Sequence, residues 1–220
     1  MNFGFFQIAR AEILDMDSTT SRTQLEKLVL VDASMLASCK SSSVIKAKCL
    51  PADTFQSKKD TLASFYDITW AFGTAGLNGS EELLIFADTE NQRDALLGIL
   101  YLAGHNKLWR WNAKKLKLQK LLGKSAGQTR GIIRSKIYTA NMRDDRLVLP
   151  QELIALTKRG WKLSEIDTKN QISKQIIISK KPLDAIARFI RLQINKKEEQ
   201  TLKVMIDPLP ISLSTSTSTS

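Results

Sequence analysis

Residues 82–105 read ELLIFADTENQRDALLGILYLAGH, and this stretch decides the fold. Leu83 to Phe86 is an unbroken apolar run with no alternation and too short for a helix. That is the pattern of a parallel strand covered on both faces. Asp88 to Glu90 turns the chain. Asn91 to Ala103 then sets Ala95, Leu96, Ile99, Leu100 and Ala103 on one helical face, and Gly104 stops the helix. Strand, short turn, helix and glycine stop together make one βα unit of an α/β domain.

Upstream, Thr23-Gln24-Leu25-Glu26 fits a capping box, which predicts a short helix beginning near Thr23. The run LVLVDAS follows, with Leu28 to Val31 as a second buried strand ending in Asp32. SCKSSS is polar loop, and VIKAKCLP is a short strand closed by Pro51. Asp60 to Phe72 has helical spacing at Leu62, Phe65, Ile68 and Phe72. Downstream, LWRW reads as a short strand. AKKLKLQKLLG reads as an amphipathic helix with Leu116, Leu118, Leu121 and Leu122 inward, and GKSAGQTRG as a flexible connection. Pro150 opens a helix through Thr157 that Gly160 stops. Gln175 to Ile178 is a strand. Pro182 opens a helix to about Lys197 whose buried stripe is Leu183, Ile186, Ile190 and Ile194. LKVMI is a final strand, and PLPISLSTSTSTS is too polar and repetitive to pack.

This order of elements resembles a rhodanese-like domain. The helix leading into LVLVDAS is similar to the family's first signature. SVIKAKCLP is similar to its H-I-P-G-A-x-x-L-P segment, keeping Ala47, Leu50 and Pro51. Residues 82–105 resemble its active-site strand, loop, helix and Gly-His stop. The resemblance runs from Ser18 to Lys117. It implies an open parallel sheet with helices on both faces, followed here by a small α+β extension. The expected organisation is a rhodanese-like domain over 1–122, a basic linker over 123–136, the extension over 137–207 and a disordered tail over 208–220.

The resemblance also exposes departures. In active members a cysteine follows the second strand and opens a loop whose N–H groups, with a helix N-terminus behind them, hold a persulfide as an anion. Here that loop is Ala87, Asp88, Thr89, Glu90, Asn91, Gln92 and Arg93. Alanine stands in the nucleophile's place, and two carboxylates enter a nest built for anions. Ser43 replaces the motif's histidine, and Asn112-Ala113 replaces a double glycine. The chain resembles the inactive first half of tandem sulfurtransferases. MRDDRLVLPQELIALTKRGWKLSEIDTK is faintly similar to the start of a second repeat, with too few residues left to complete one.

With 220 residues, 43% apolar and 25% charged, the chain suits one ordinary domain and an extension. Its formal charge of +11 is concentrated in one place. Lys107, Arg110, Lys114, Lys115, Lys117, Lys120, Lys124, Arg130, Arg134 and Lys136 fall in one segment with no acid among them, and the rest is nearly neutral. Such a block predicts a polyanionic or acidic partner, either nucleic acid or the acidic surface of a protein within a larger assembly. Trp109 and Trp111 are stacking candidates if exposed, core residues if not.

No apolar run approaches the roughly 18–20 residues that span a bilayer, so a cytoplasmic protein is expected. Cys39 and Cys49 are read as free thiols of a reducing compartment. A disulfide across so short a loop would staple little. One histidine and no CxxC pair leave no expected metal site or cofactor.

The leading expectation is a non-catalytic binding or scaffold module. Two alternatives stand beside it: a sulfurtransferase working through Cys39 or Cys49, and a nucleic-acid-binding accessory protein. Asp15-Met16-Asp17-Ser18-Thr19 resembles the D-x-D-x-T motif of haloacid dehalogenase-type phosphatases. The preceding ARAEIL is a poor strand, so a cap and turn is preferred. His105, alone, is read as structural.

Overall fold

The structure is a computed structural model and describes residues 12–57, 60–164, 174–195 and 201–206. The tail over 208–220 lies outside the described residues.

The chain runs β1 (Glu12–Met16), α1 (Arg22–Leu25), β2 (Val29–Asp32), α2 (Leu36–Ser41), β3 (Ser43–Val44), β4 (Lys48–Cys49), α3 (Phe65–Thr74), β5 (Leu83–Phe86), α4 (Glu90–Leu102), β6 (Lys107–Trp111), α5 (Lys115–Leu122), β7 (Lys124–Ser125) and β8 (Gln128–Thr129). It continues with β9 (Leu147–Val148), α6 (Leu153–Lys158), β10 (Lys162–Ser164), β11 (Lys174–Ile177), α7 (Pro182–Ile194) and β12 (Thr201–Met205). No helix among the described residues is long and apolar enough to cross a membrane.

Six strands form a parallel sheet in the order β1-β6-β5-β2-β4-β8. β5 lies at its centre, and its four residues are all buried. Leu83 and Ile85 point to one face, where α3 and α4 pack. Leu84 and Phe86 point to the other, against Trp111, Leu118 and Leu122. Cover on both faces is why the strand has no polar alternation.

The expected α+β extension is instead a second, wholly parallel sheet, β10-β11-β12-β9. The physical reason is α7, a crossover helix that returns the chain from β11 to lie parallel beside it at β12. In the first sheet α4 does the same between β5 and β6. Among the described residues, the run β9-β12-β11-β10 therefore repeats the order β1-β6-β5-β2.

α4 and α7 pack against each other between the sheets. A Cβ on Gly98 would collide with the Ile186 side chain, so the glycine sets how closely the helices approach. This contact explains why α4 is buried all round rather than on the single predicted face. One hydrophobic cluster runs from Val31 and Leu83 through α4 and α7 to Leu202 and Val204, so the two sheets share a core.

Two further expectations are corrected. GKSAGQTRG is not a loose connection: β7 pairs antiparallel with β3, β8 extends the first sheet beside β4, and the Gly127 N–H donates to the Cys39 carbonyl. Cys39 and Cys49 are joined by a disulfide, and neither is a free thiol. The strand β4 brings Cys49 to the base of α2, and both sulfurs are buried under Gly127, where a side chain would strike them. The thiol argument for a reducing compartment falls with this pairing.

Smaller differences have local causes. α1 is capped by Ser21 rather than Thr23, because Ser21 Oγ accepts from the Gln24 N–H. Leu116 faces solvent while Leu118 and Leu122 are buried, since α5 lays only one narrow edge on the sheet.

Candidate functional site

The loop between β5 and α4 sits at the carboxyl edge of the first sheet, where open α/β sheets place their sites. Ala87 is half-buried, packed on the core. Thr89 caps α4: its hydroxyl accepts from the Gln92 N–H and the Gln92 side chain accepts from the Thr89 N–H, each at 3.3 Å. The Arg93 N–H donates to the Thr89 carbonyl, and the Asp88 N–H donates to Ser34 Oγ at 2.9 Å. Four N–H groups of the loop are thus engaged by the chain's own oxygens.

Asp88 turns its carboxylate inward. It accepts from Ser38 Oγ at 2.5 Å and lies 3.3 Å from Lys115 Nζ. Lys115 reaches on to Asp32, 2.8 Å away, and to Ser34 Oγ at 3.2 Å. Asp32, fully buried at the end of β2, also accepts from Ser43 Oγ and from the Ser34 N–H. One lysine bridges two aspartates, and three serines fill their remaining acceptor sites. Burial pushes the Asp88 carboxyl up, but the Ser38 hydrogen bond and the Lys115 charge outweigh it, and its pKa lies below the ordinary carboxylate value.

The other loop residues divide by depth. Glu90 and Asn91 face solvent, and Asn91 Nδ2 donates to Asp184 Oδ1 at the head of α7. Arg93 is buried, donates to the Trp111 carbonyl and pairs with Asp94 at 2.8 Å. Beside the loop lies a cavity of about 230 Å³. The first sheet's side contributes Ala33, Pro51, Asn91 and Gln92, and the start of α7 contributes its N-cap Lys181 and Leu183. The sequence reading missed Asp32, Ser34, Ser38 and Lys181. Asp32 was signalled by its place at the end of a buried strand, but the serines and Lys181 are brought in only by folding.

The ten basic residues do not form one surface. Arg110 is buried and makes two hydrogen bonds to Asp15, at 2.6 and 2.7 Å, from β6 to the neighbouring β1. Lys115 belongs to the aspartate network. Lys107 pairs with Glu82 at 3.0 Å, and Lys136 with Glu81 at 2.8 Å. Lys117 and Lys120 on α5, Lys114 just before it and Lys124 in β7 are exposed. Arg130 and Arg134 lie further on, and Arg134 stacks 4.5 Å over Trp70. Trp111 is buried and Trp109 half-buried in the second cluster, so neither is a free stacking platform.

The remaining candidates are structural. The Asp17 carboxylate accepts from the Thr19 N–H and hydroxyl in a turn. His105 is buried, and its Nε2 lies 2.7 Å from the Glu81 carbonyl, which can only accept. Nε2 therefore carries the proton, and Nδ1 accepts from the Tyr138 hydroxyl. Burial holds this histidine below its ordinary pKa and neutral.

No protein-family model and no curated protein matches the chain. Among solved structures, SseA from Escherichia coli, described as a 3-mercaptopyruvate sulfotransferase with the rhodanese fold, is 9% identical with a TM-score of 0.70. The match covers 88% of this chain and 98% of that one. Wild-type EanB is 12% identical with a TM-score of 0.51, over 64% of this chain and 38% of its own. The SseA match is too long to stop at the first sheet. At such identities the shared property is architecture, and the chain has a rhodanese-like α/β fold.

Proposed function

We propose that this chain is a non-catalytic rhodanese-like module that serves as a binding or scaffold unit in a larger assembly. The observation that carries this reading is the Asp88–Lys115–Asp32 network beside Ala87. In the place where a sulfur-transfer loop needs a nucleophile and open N–H groups for an anion, this chain has a methyl group, a carboxylate of its own and four N–H donors already engaged. Cys39 and Cys49 are buried in a disulfide, away from attack by a small donor. The partner is read as an acidic protein surface or nucleic acid held by Lys114, Lys117, Lys120 and Lys124, which are exposed and form no salt bridge among the described residues. The test is sulfur transfer from thiosulfate to cyanide by the full chain, with intact mass measured after thiosulfate treatment. The expected result is thiocyanate at the protein-free rate and no added sulfur on the protein. Saturable turnover that vanishes on Cys39→Ser or Cys49→Ser would overturn the reading.

A further inference from the structure

Beyond the cysteine-less loop, the segment Arg130–Ile137 presents a surface that nothing above employs. It crosses the C-terminal end of α3 and is tied down there: the Gly131 N–H donates to the Thr74 carbonyl and the Ser135 N–H to the Gly73 carbonyl. A Cβ on Gly73 would collide with Arg134 and the Lys136 carbonyl, so the glycine lets the strap lie flat. From this anchored bend Ile132 and Ile133 project into solvent, 96% and 82% exposed, and Ile137 is 64% exposed. Arg134 of the strap stacks 4.5 Å over Trp70 on α3, whose ring centre is 6.3 Å from that of Tyr66, and the two rings are 38% and 69% exposed. Arg130 makes no ion pair among the described residues. Of the acids nearby, Glu81 pairs with Lys136, and Asp67 accepts from the Ser64 hydroxyl that caps α3.

We propose that this strap and the adjoining face of α3 dock on an anionic lipid surface, with Ile132 and Ile133 entering the acyl boundary, Tyr66 and Trp70 at headgroup level, and Arg130 and Arg134 on the lipid phosphates. A helix or loop of a partner protein would need a pocket for each isoleucine, and side chains this exposed sit in no groove of their own. A lipid surface accommodates projecting apolar groups wherever they stand. Aromatic rings with a polar edge favour the headgroup layer. Basic residues reach phosphates while their stems stay apolar, and an anionic leaflet attracts them. A patch of this size gives shallow, reversible attachment. The proposal concerns a different surface from the Lys114, Lys117, Lys120 and Lys124 group of the preceding section and does not depend on the partner read there. It is read by a different assay, so either can fail alone.

The test is co-sedimentation of the full chain with vesicles of phosphatidylcholine alone and of phosphatidylcholine mixed with phosphatidylglycerol. Light scattering of the free protein and thermal unfolding of each variant accompany it. The expected result is binding to the anionic vesicles only, weakened by salt. Ile132→Ser/Ile133→Ser keeps the charge and, because these side chains reach no core, the melting temperature. It lowers partitioning by at least about tenfold. Arg130→Gln/Arg134→Gln removes most of the preference for phosphatidylglycerol. No binding to anionic vesicles overturns the proposal. So does binding that survives the serine pair, which is adsorption by charge alone. A wild-type oligomer that the serine pair converts to monomer also overturns it, by assigning the isoleucines to a protein interface.

Discussion

Lys115 shows how one side chain changes meaning on folding. In the sequence it is one of ten cations in a block without acids, indistinguishable from Lys114 or Lys117. In the structure it is buried between Asp32 and Asp88, while those two neighbours face solvent. The chain cannot announce this pairing, because Asp32 and Lys115 meet only when α5 is laid across the end of β2. Removing the cation would strand a fully buried carboxylate. Lys115→Met is expected to cost about 3–5 kcal/mol in urea unfolding. Adding Asp32→Asn should recover at least about half of that, since an amide tolerates burial far better than an unpaired carboxylate. Equal losses in the single and double variants would show that the loss does not come from a stranded Asp32 carboxylate. Ala87, by contrast, was legible directly: an alanine at a strand end carries no nucleophile whatever surrounds it.

At the scale of the element, the strands and helices follow from hydrophobic period and cap chemistry. β5 has the predicted bounds, and α4 and α7 begin within a residue of their predicted starts, Asn91 and Pro182. What periodicity left out was the second side of α4. A residue such as Gly98 reads as a weak point in a helix, and in isolation an alanine there would favour the helix by about 1 kcal/mol. Against α7 the sign reverses. Gly98→Ala is expected to lower the urea-unfolding stability by about 1–3 kcal/mol through forced separation of the helices. Ile186→Ala in the same chain should couple favourably with it, as contacting sites do. A stabilising Gly98→Ala would mean that the α4–α7 contact is looser than the structure has it.

For the whole molecule, two sheets share one core, and in the first a disulfide ties α2 to β4. Cys39 and Cys49 are 10 residues apart. Constraining so short a loop contributes about 2–3 kcal/mol by the chain-entropy argument. The expected outcome is no free thiol in the unfolded, unreduced protein. Dithiothreitol should lower the urea midpoint to the extent that Cys39→Ser/Cys49→Ser does, and should leave that variant unmoved. Two titratable thiols before reduction would return the pair to the reading made from the sequence. The spacing of 10 residues pointed to a weak staple. It did not show that α2 and β4 fold the two cysteines toward each other beneath Gly127.

The fold class, the βα unit at 82–105, the alanine in the loop and the uneven charge were legible along the chain, because each depends on local period or on residue identity. The tertiary structure alone decided which cations remain outward, that the cysteines pair, that the C-terminal part repeats the first sheet's strand order, and that Ile132 and Ile133 stand in solvent. Those outcomes depend on which distant segments come to share a surface. Burial, pairing and exposure are properties of that shared surface, and no stretch of chain carries them alone.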